Sequence, residues 1–136
     1  MEKKLSYLLR EVLKNKFGAS VENIQNIEKQ ANFVLPSQYV EFMMEFNGGE
    51  GEVGENSWLF LFPVEELVSV NEDYRFLMEQ IPDYFLIGKD AADTGYALQK
   101  EKGTFYSFGL MSNFETDEIT PCGATFLEFI EYLYNQ

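Results

Sequence analysis

A short glycine- and glutamate-rich stretch contains the residues that most invite a chemical interpretation. Its glycines are Gly48, Gly49, Gly51 and Gly54, and its acids are Glu50, Glu52 and Glu55. Glycine-rich loops bind phosphate when their backbone N–H groups open onto a helix N-terminus, usually beside a lysine. These glycines instead follow the predicted end of a helix, where carbonyl groups point outward, and carboxylates lie between them. We therefore interpret Asn47-Gly48-Gly49 as a helix stop and not as a phosphate site.

A second candidate site is the segment that begins at Asp90. Asp90, Gly95 and Glu101 have the spacing of the first, sixth and twelfth positions of an EF-hand calcium loop. Ala92 occupies a position where a side-chain oxygen is expected, and the flanking residues resemble strands rather than helices. We therefore expect no metal ion here. The interpretation that we favour is a corner between two strands, in which Asp90 and Asp93 bond their own backbone.

The residue types that are missing limit the possible chemistry. The chain has no histidine, which removes the commonest general base and metal ligand. Its one cysteine, Cys122, excludes an internal disulfide and a thiolate zinc cluster, and no histidine is present to activate its thiol. Adjacent acids on a helix point in different directions, so we interpret the three clearest pairs as solvated surface. These pairs are Glu65/Glu66, Glu72/Asp73 and Asp117/Glu118. We predict no enzyme activity, no catalytic residue and no cofactor.

The charge is strongly negative and unevenly distributed. With 23 acidic and 10 basic residues, the net charge is −13. Residues 1–30 contain six basic and four acidic side chains, so the negative charge lies in residues 31–136. Such a surface repels nucleic acid and anionic lipid, and it attracts a basic partner. A simpler alternative is that the acidity only keeps the protein soluble.

The N-terminal segment lacks the pattern of a signal peptide. Charged residues interrupt it repeatedly, so it has no continuous apolar centre. They are Glu2, Lys3, Lys4, Arg10 and Glu11. No apolar run approaches the roughly 18 residues of a membrane helix. Because a free thiol suits a reducing compartment, we expect a cytoplasmic protein.

Apolar spacing predicts three helices in the first part of the chain. The first is predicted to end near Phe17, and its apolar stripe is Leu5, Leu8, Leu9, Val12 and Leu13. Ser20 is placed to cap a second helix, which should end before Pro36. Pro36 suits the first turn of a third helix, which stops at Asn47.

The remaining chain predicts strands followed by one helix. After an acidic loop at residues 50–56, strands are predicted at residues 58–62, 84–87, 94–98 and 104–108. A helical turn should begin at Pro63. Thr125 and Glu128 have the spacing of a capping box at the start of a last helix. Helices, then strands, then a helix indicate an α+β fold in one domain over residues 1–136.

Three motifs, taken in order, resemble the SUKH superfamily. They are Leu35-Pro36-x-x-Tyr39-x-x-Phe42 with Asn47-Gly48-Gly49, then Ile87-Gly88-x-Asp90 with Gly95-Tyr96-Ala97-Leu98, then Thr125-Phe126-x-x-Phe129. The resemblance is strongest over residues 35–133. One departure is Ala91-Ala92-Asp93, where the superfamily pattern leads us to expect a more glycine-rich turn. The superfamily includes yeast regulators of cell-wall (glucan) synthesis and many bacterial toxin-immunity proteins.

The resemblance implies a particular architecture and no enzyme activity. The implied fold is a single α+β domain in which a largely antiparallel sheet is backed by N-terminal and C-terminal helices. It makes the motif residues mainly structural, with Tyr39 and Phe42 facing the core. Bacterial members typically bind and neutralise a toxin domain, often a nuclease, that is encoded beside them.

Two functional hypotheses follow from the resemblance and the charge. The first is an immunity protein whose partner is a basic toxin domain. The alternative is a regulatory scaffold like the glucan-synthesis regulators. In either case we expect a protein partner and no binding to nucleic acid or membranes. The candidate partner-binding residues are the acids Glu50, Glu52, Glu55, Asp90 and Asp93.

Overall fold

Six helices and seven strands make up the computed structural model, which describes all residues from Met1 to Gln136. The helices are Lys3–Leu8 (α1), Val21–Ala31 (α2), Ser37–Phe46 (α3), Val64–Asp73 (α4), Arg75–Met78 (α5) and Phe126–Tyr134 (α6). The strands are Val12–Lys14 (β1), Gly49–Val53 (β2), Ser57–Leu61 (β3), Tyr84–Lys89 (β4), Thr94–Gln99 (β5), Phe105–Gly109 (β6) and Thr120–Gly123 (β7).

All seven strands form one sheet in which each strand pairs with its neighbours in chain order. The order is β1-β2-β3-β4-β5-β6-β7, and every pairing is antiparallel. In the chain, α1 precedes the sheet, α2 and α3 lie between β1 and β2, α4 and α5 lie between β3 and β4, and α6 follows β7. The predicted α+β domain with an antiparallel sheet is therefore confirmed. No helix is both long and apolar enough to cross a membrane.

The N-terminal helix is shorter than predicted. It ends at Leu8, and the chain then forms β1, which pairs with β2. The apolar residues at helical spacing are buried as far as Val12, but Leu13 is 82% exposed. In a strand, successive side chains point to opposite faces, so burial of Val12 turns Leu13 outward. The short apolar run fits a helix and a strand equally well, and pairing with β2 decides between them.

The predicted acidic loop at residues 50–56 is also wrong in part. Most of it is β2, and only residues 54–56 form the turn into β3. Glycine and glutamate are rare in strands, so the sequence Gly-Glu-Gly-Glu-Val hides this strand from propensity reasoning. Gly51 is required there because β1 passes very close. A Cβ on Gly51 would lie 2.6 Å from the carbonyl oxygen of Glu11.

The serine and threonine helix caps lie where the sequence predicts them. The Ser20 hydroxyl accepts the Asn23 N–H at 3.1 Å. Pro36 is not in the first turn of α3, as predicted, but is the extended residue immediately before it. At α6 the Thr125 hydroxyl accepts the Glu128 N–H at 3.1 Å. The Glu128 carboxylate reaches one residue further back than a standard capping box requires, to the backbone N–H before Thr125. Each bond satisfies an N–H that a helix start would otherwise leave unpaired.

The core joins the sheet to all six helices, and α6 contributes four buried residues to it. Phe129 of α6 stacks on Phe105 with ring centroids 5.1 Å apart, and it meets the Tyr96 ring edge-on at 5.4 Å. Tyr39 and Phe42 of α3 are buried, which confirms their predicted orientation. The predicted strands β3 to β6 are confirmed, whereas β7 is not predicted because its Thr-Pro-Cys-Gly sequence has no strand pattern.

Candidate functional site

One face of the first three strands remains exposed to solvent. We call this surface the open face, and it consists of Leu13, Glu50, Glu52, Trp58 and Phe60. The residues between them on β2 are buried, so the alternation of the strand separates the core from this surface. Pairing brings the five together: Glu50 is opposite both Leu13 and Phe60, and Glu52 is opposite Trp58. Leu13 and the two acids are exposed, and the two aromatic residues are half-buried.

A hydrogen bond fixes the orientation of the indole on the open face. The Trp58 Nε1–H donates to Glu50 Oε2 at 3.0 Å. The two residues are diagonal neighbours across β2 and β3, a separation that long side chains can bridge. Phe60 packs edge-on against the Phe62 ring with centroids 5.0 Å apart. Trp58 and Phe60 therefore present fixed aromatic surfaces, and the second oxygen of Glu50 has no partner within the protein.

A groove of about 530 Å³ adjoins the open face at the turn between β2 and β3. Three carboxylates line it, from Glu11, Glu52 and Glu55. Its only cation is Arg10, whose guanidinium lies 4.1 Å from the centre of the Tyr7 ring. Arg10 also donates a hydrogen bond to the hydroxyl oxygen of the C-terminal Tyr134 at 3.3 Å, and this bond lowers the pKa of that phenol. The groove is therefore acidic, and its one cation already contacts the Tyr7 ring and the Tyr134 hydroxyl.

A second groove of about 390 Å³ lies at the corner between β4 and β5. Asp90 and Trp58 both line it, together with Tyr132 and Leu133 of α6. Asp90 Oδ1 accepts the Ala92 N–H at 2.8 Å and the Thr94 N–H at 3.0 Å. This geometry confirms the predicted corner in which Asp90 bonds its own backbone. At Asp93 the bond involves the main chain instead, because its carbonyl accepts the N–H of Leu110.

The structure brings three of the five predicted contact residues close together and places the other two elsewhere. Glu50 and Glu52 share the open face, and Glu52 also lines the groove that contains Glu55. Asp90 lies in the second groove beside Trp58, whereas Asp93 is exposed and lines neither groove. The predicted acidic loop is therefore a strand face with an adjoining turn.

Sequence reasoning missed the apolar half of this surface. Residues 58–62 were predicted as a buried strand, yet Trp58 and Phe60 are only half-buried. The signal that could have found them is the alternation Trp-Leu-Phe-Leu-Phe, in which Leu59 and Leu61 occupy the buried positions. An all-apolar strand does not indicate which face is covered, because that depends on the helices packed against it.

The remaining reactive groups do not form a chemical centre. No group of three or more acidic or cysteine side chains is arranged to hold a metal ion. The thiol of Cys122 is buried, and burial raises its pKa, so it stays protonated at neutral pH. The Tyr39 hydroxyl is fully buried and has no hydrogen-bond partner. The Cys122 thiol lies beside the hydroxyls of Ser107 and Tyr132, and neither of these is a base that would activate it.

Comparison with known protein families shows to which family this chain belongs. The sequence model of the SMI1 / KNR4 family (SUKH-1) matches residues 18–132. The chain belongs to this family. The match extends the resemblance seen over residues 35–133 toward the N-terminus, and it leaves α1 and β1 outside. A search of curated proteins found no match.

In this SMI1 / KNR4 member, the Asn-Gly-Gly motif ends a helix, as predicted. Asn47 has a left-handed backbone with φ of 52°, and its N–H donates to the carbonyl of Met43 at 2.8 Å. Gly48 follows with φ of 94°. The carbonyl of Asn47 accepts a hydrogen bond from the side chain of Asn15 at 2.7 Å. The motif therefore joins α3, the segment after β1 and the start of β2.

Proposed function

We propose that this protein is a non-enzymatic immunity protein that binds and neutralises a basic toxin domain. The observation that carries the proposal is the open face, where two carboxylates without an ion pair, Glu50 and Glu52, lie beside two half-buried aromatic side chains. Membership of the SMI1 / KNR4 family supports a role without catalysis, since the superfamily includes many toxin-immunity proteins. The net charge of −13 supports a basic partner.

Electrostatics explains why an acidic protein suits this task. A nuclease must present lysine and arginine to phosphate, so a carboxylate surface can compete for the same ground. None of the three ion pairs in the chain uses Glu50, Glu52 or Glu55. Their charge is therefore available to a partner. Complementary charge acts mainly on the association rate, so binding should be faster at low salt.

The regulatory alternative makes a different prediction about the gene neighbourhood. An immunity protein is expected beside a gene for a large toxin with a variable C-terminal domain, whereas a glucan-synthesis-type regulator is not. The absence of a toxin gene beside this one would count against the immunity proposal.

The direct test is to mix the purified protein with the toxin domain encoded beside it. We expect association at or below micromolar concentration and rescue of growth when the two are co-expressed. Failure of either would show that the immunity proposal is wrong.

A charge-reversal variant tests the role of the candidate acids. The triple variant Glu50→Lys, Glu52→Lys and Glu55→Lys should slow association and reduce its dependence on salt. A matched control reverses three exposed acids elsewhere: Glu79→Lys, Glu115→Lys and Glu118→Lys. Both variants change the net charge equally, so a larger effect of the first would assign binding to the predicted acids. Equal effects would leave the function but remove this placement of the site.

A further inference from the structure

We infer that the open face is itself the docking surface, with Trp58 and Phe60 as its central anchors. This inference rests on the proposed function and specifies how the basic toxin domain is held. We assign to the partner an arginine or lysine that lies over the Trp58 indole while it bonds the free oxygen of Glu50. Leu13 and Phe60 would cover the aliphatic stems and apolar residues around that cation.

The open face groups three solvent-accessible apolar side chains around the acids of β2. Leu13 lies on β1, and Trp58 and Phe60 lie on β3, with Glu50 of β2 between Leu13 and Phe60. Leu13 is 82% exposed, and the two aromatic residues are half-buried. Scattered exposed apolar residues need no explanation, but grouped ones flanked by charge are typical of interaction sites. Tryptophan is also among the residues that contribute most to binding energy at interfaces.

The open face is also prepared for a cation. The Trp58 N–H occupies one oxygen of Glu50, which fixes the indole and leaves the second oxygen beside the ring. Glu52 lies opposite Trp58 on the adjacent strand and has no ion pair. A cation over an indole face and next to a carboxylate gains from both groups. The fold already places cations over aromatic rings, for example where Arg10 lies over the Tyr7 ring.

The main alternative is addition of a partner strand at the edge of the sheet. The side chain of Lys14 folds over the free edge of β1. Its Nζ donates to the carbonyls of Leu9 at 2.8 Å and Val12 at 3.3 Å. An edge lysine that engages outward carbonyls hinders pairing with another chain. At the opposite edge, Pro121 of β7 lacks a backbone N–H. The exposed face is therefore a better docking surface than either edge.

The test uses truncations on the open face and a matched aromatic elsewhere. The probe is the toxin domain encoded beside the gene, titrated into each purified variant. Trp58→Ala and Phe60→Ala should each weaken affinity by about tenfold or more. The control is Phe76→Ala on α5, since Phe76 is 76% exposed and lies outside the face. This control should bind with unchanged affinity.

A second measurement does not depend on substitution. Trp58 is the only tryptophan, so fluorotryptophan incorporated into this protein gives one fluorine NMR signal from the proposed anchor. Addition of the unlabelled toxin domain should shift that signal in proportion to complex formed. It should also protect Trp58 from an added paramagnetic quencher.

The outcomes separate this inference from the proposed function. If the wild-type protein binds but Trp58→Ala and Phe60→Ala bind equally well, docking on the open face is wrong and the immunity role survives. A fluorine signal that neither shifts nor gains protection in the complex leads to the same conclusion. If the wild-type protein does not bind at all, the proposed function itself is wrong.

Glu50→Gln distinguishes the two roles of that residue. Glutamine can still accept the Trp58 N–H, so the indole should keep its orientation while the charge is lost. We expect weaker binding with a smaller salt dependence. Binding identical to wild type would contradict the assigned contact with a partner cation.

Discussion

The side-chain oxygen of Asn47 accepts the backbone N–H of Val64 at 2.8 Å, so the residue that ends α3 also caps the start of α4. Pro63 occupies the N-cap position of α4 and has no side-chain oxygen to serve the helix. The amide nitrogen of Asn47 donates to the carboxylate of Glu65 at 2.8 Å. One buried asparagine therefore joins two helices, α3 and α4, which precede and follow the β2–β3 hairpin in the chain.

Replacement of Asn47 by alanine should destabilise the fold by about 3 kcal/mol. It removes the acceptor of a buried N–H and places an alanine in a left-handed conformation. The matched control is Asn32→Ala, because Asn32 ends α2 with a similar φ of 59° but makes no side-chain hydrogen bond. That control should lose about 1 kcal/mol. Urea unfolding of both variants measures the difference, and equal losses would contradict the capping role.

Gly48 should tolerate no side chain. Its φ is 94°, and a Cβ there would lie 2.4 Å from the carbonyl oxygen of Leu61. We expect Gly48→Ala to cost about 3 kcal/mol or more, because the backbone of β3 must move. Gly103→Ala is the control, with a φ of 68° and a nearest contact of 3.3 Å to a proline side chain. It should lose about 1 kcal/mol. An unchanged melting temperature for Gly48→Val would refute the steric explanation.

Tyr39→Phe should stabilise the protein at neutral pH by about 1 kcal/mol. The Tyr39 hydroxyl is buried without a partner, so its removal ends an uncompensated desolvation. Thermal unfolding of the variant and the wild type at neutral pH measures the change. A loss of stability would indicate that the hydroxyl has a favourable contact.

The same variant should change the response to alkali. Burial raises the pKa of Tyr39, so the folded state keeps its proton after the unfolded state has lost one. Stability is then complete below the unfolded pKa of about 10 and falls as the pH rises above it. Tyr39→Phe lacks this loss, so its advantage should grow between about pH 8 and pH 11. Unfolding curves across that range test the sign, and a constant difference would contradict it.

The corner at Asp90 should bind no calcium. Its Oδ1 is already occupied by two backbone N–H groups, and Ala92 supplies no side-chain oxygen. Calorimetric titration with calcium should give no binding in the micromolar range or tighter. Asp90→Asn keeps an acceptor oxygen and should retain stability, whereas Asp90→Ala should lose about 1 kcal/mol. Micromolar calcium affinity that Asp90→Asn abolishes would overturn this interpretation.

The sequence predicted those parts of the fold that depend on local chemistry. Ser20 and Thr125 cap helices because a hydroxyl in that position can reach the N–H three residues on. Asn47 ends α3 because asparagine readily adopts a left-handed backbone. The motifs around these residues were also sufficient to identify the family. Each of these features is decided within a few residues along the chain.

Tertiary structure alone decided the N-terminal strand and the acidic strand. The Val12 side chain could be buried equally well in a helix or in a strand. Only its pairing with Gly51 shows that this segment is a strand. Gly51 lies in a strand against its propensity because β1 approaches too closely for any side chain. The open face follows from these two strands, since their alternation turns Leu13 and Glu50 outward beside Phe60. The acidic residues can be read from the sequence. Only contacts between distant segments determined that Glu50 lies beside an indole on the open face of the sheet.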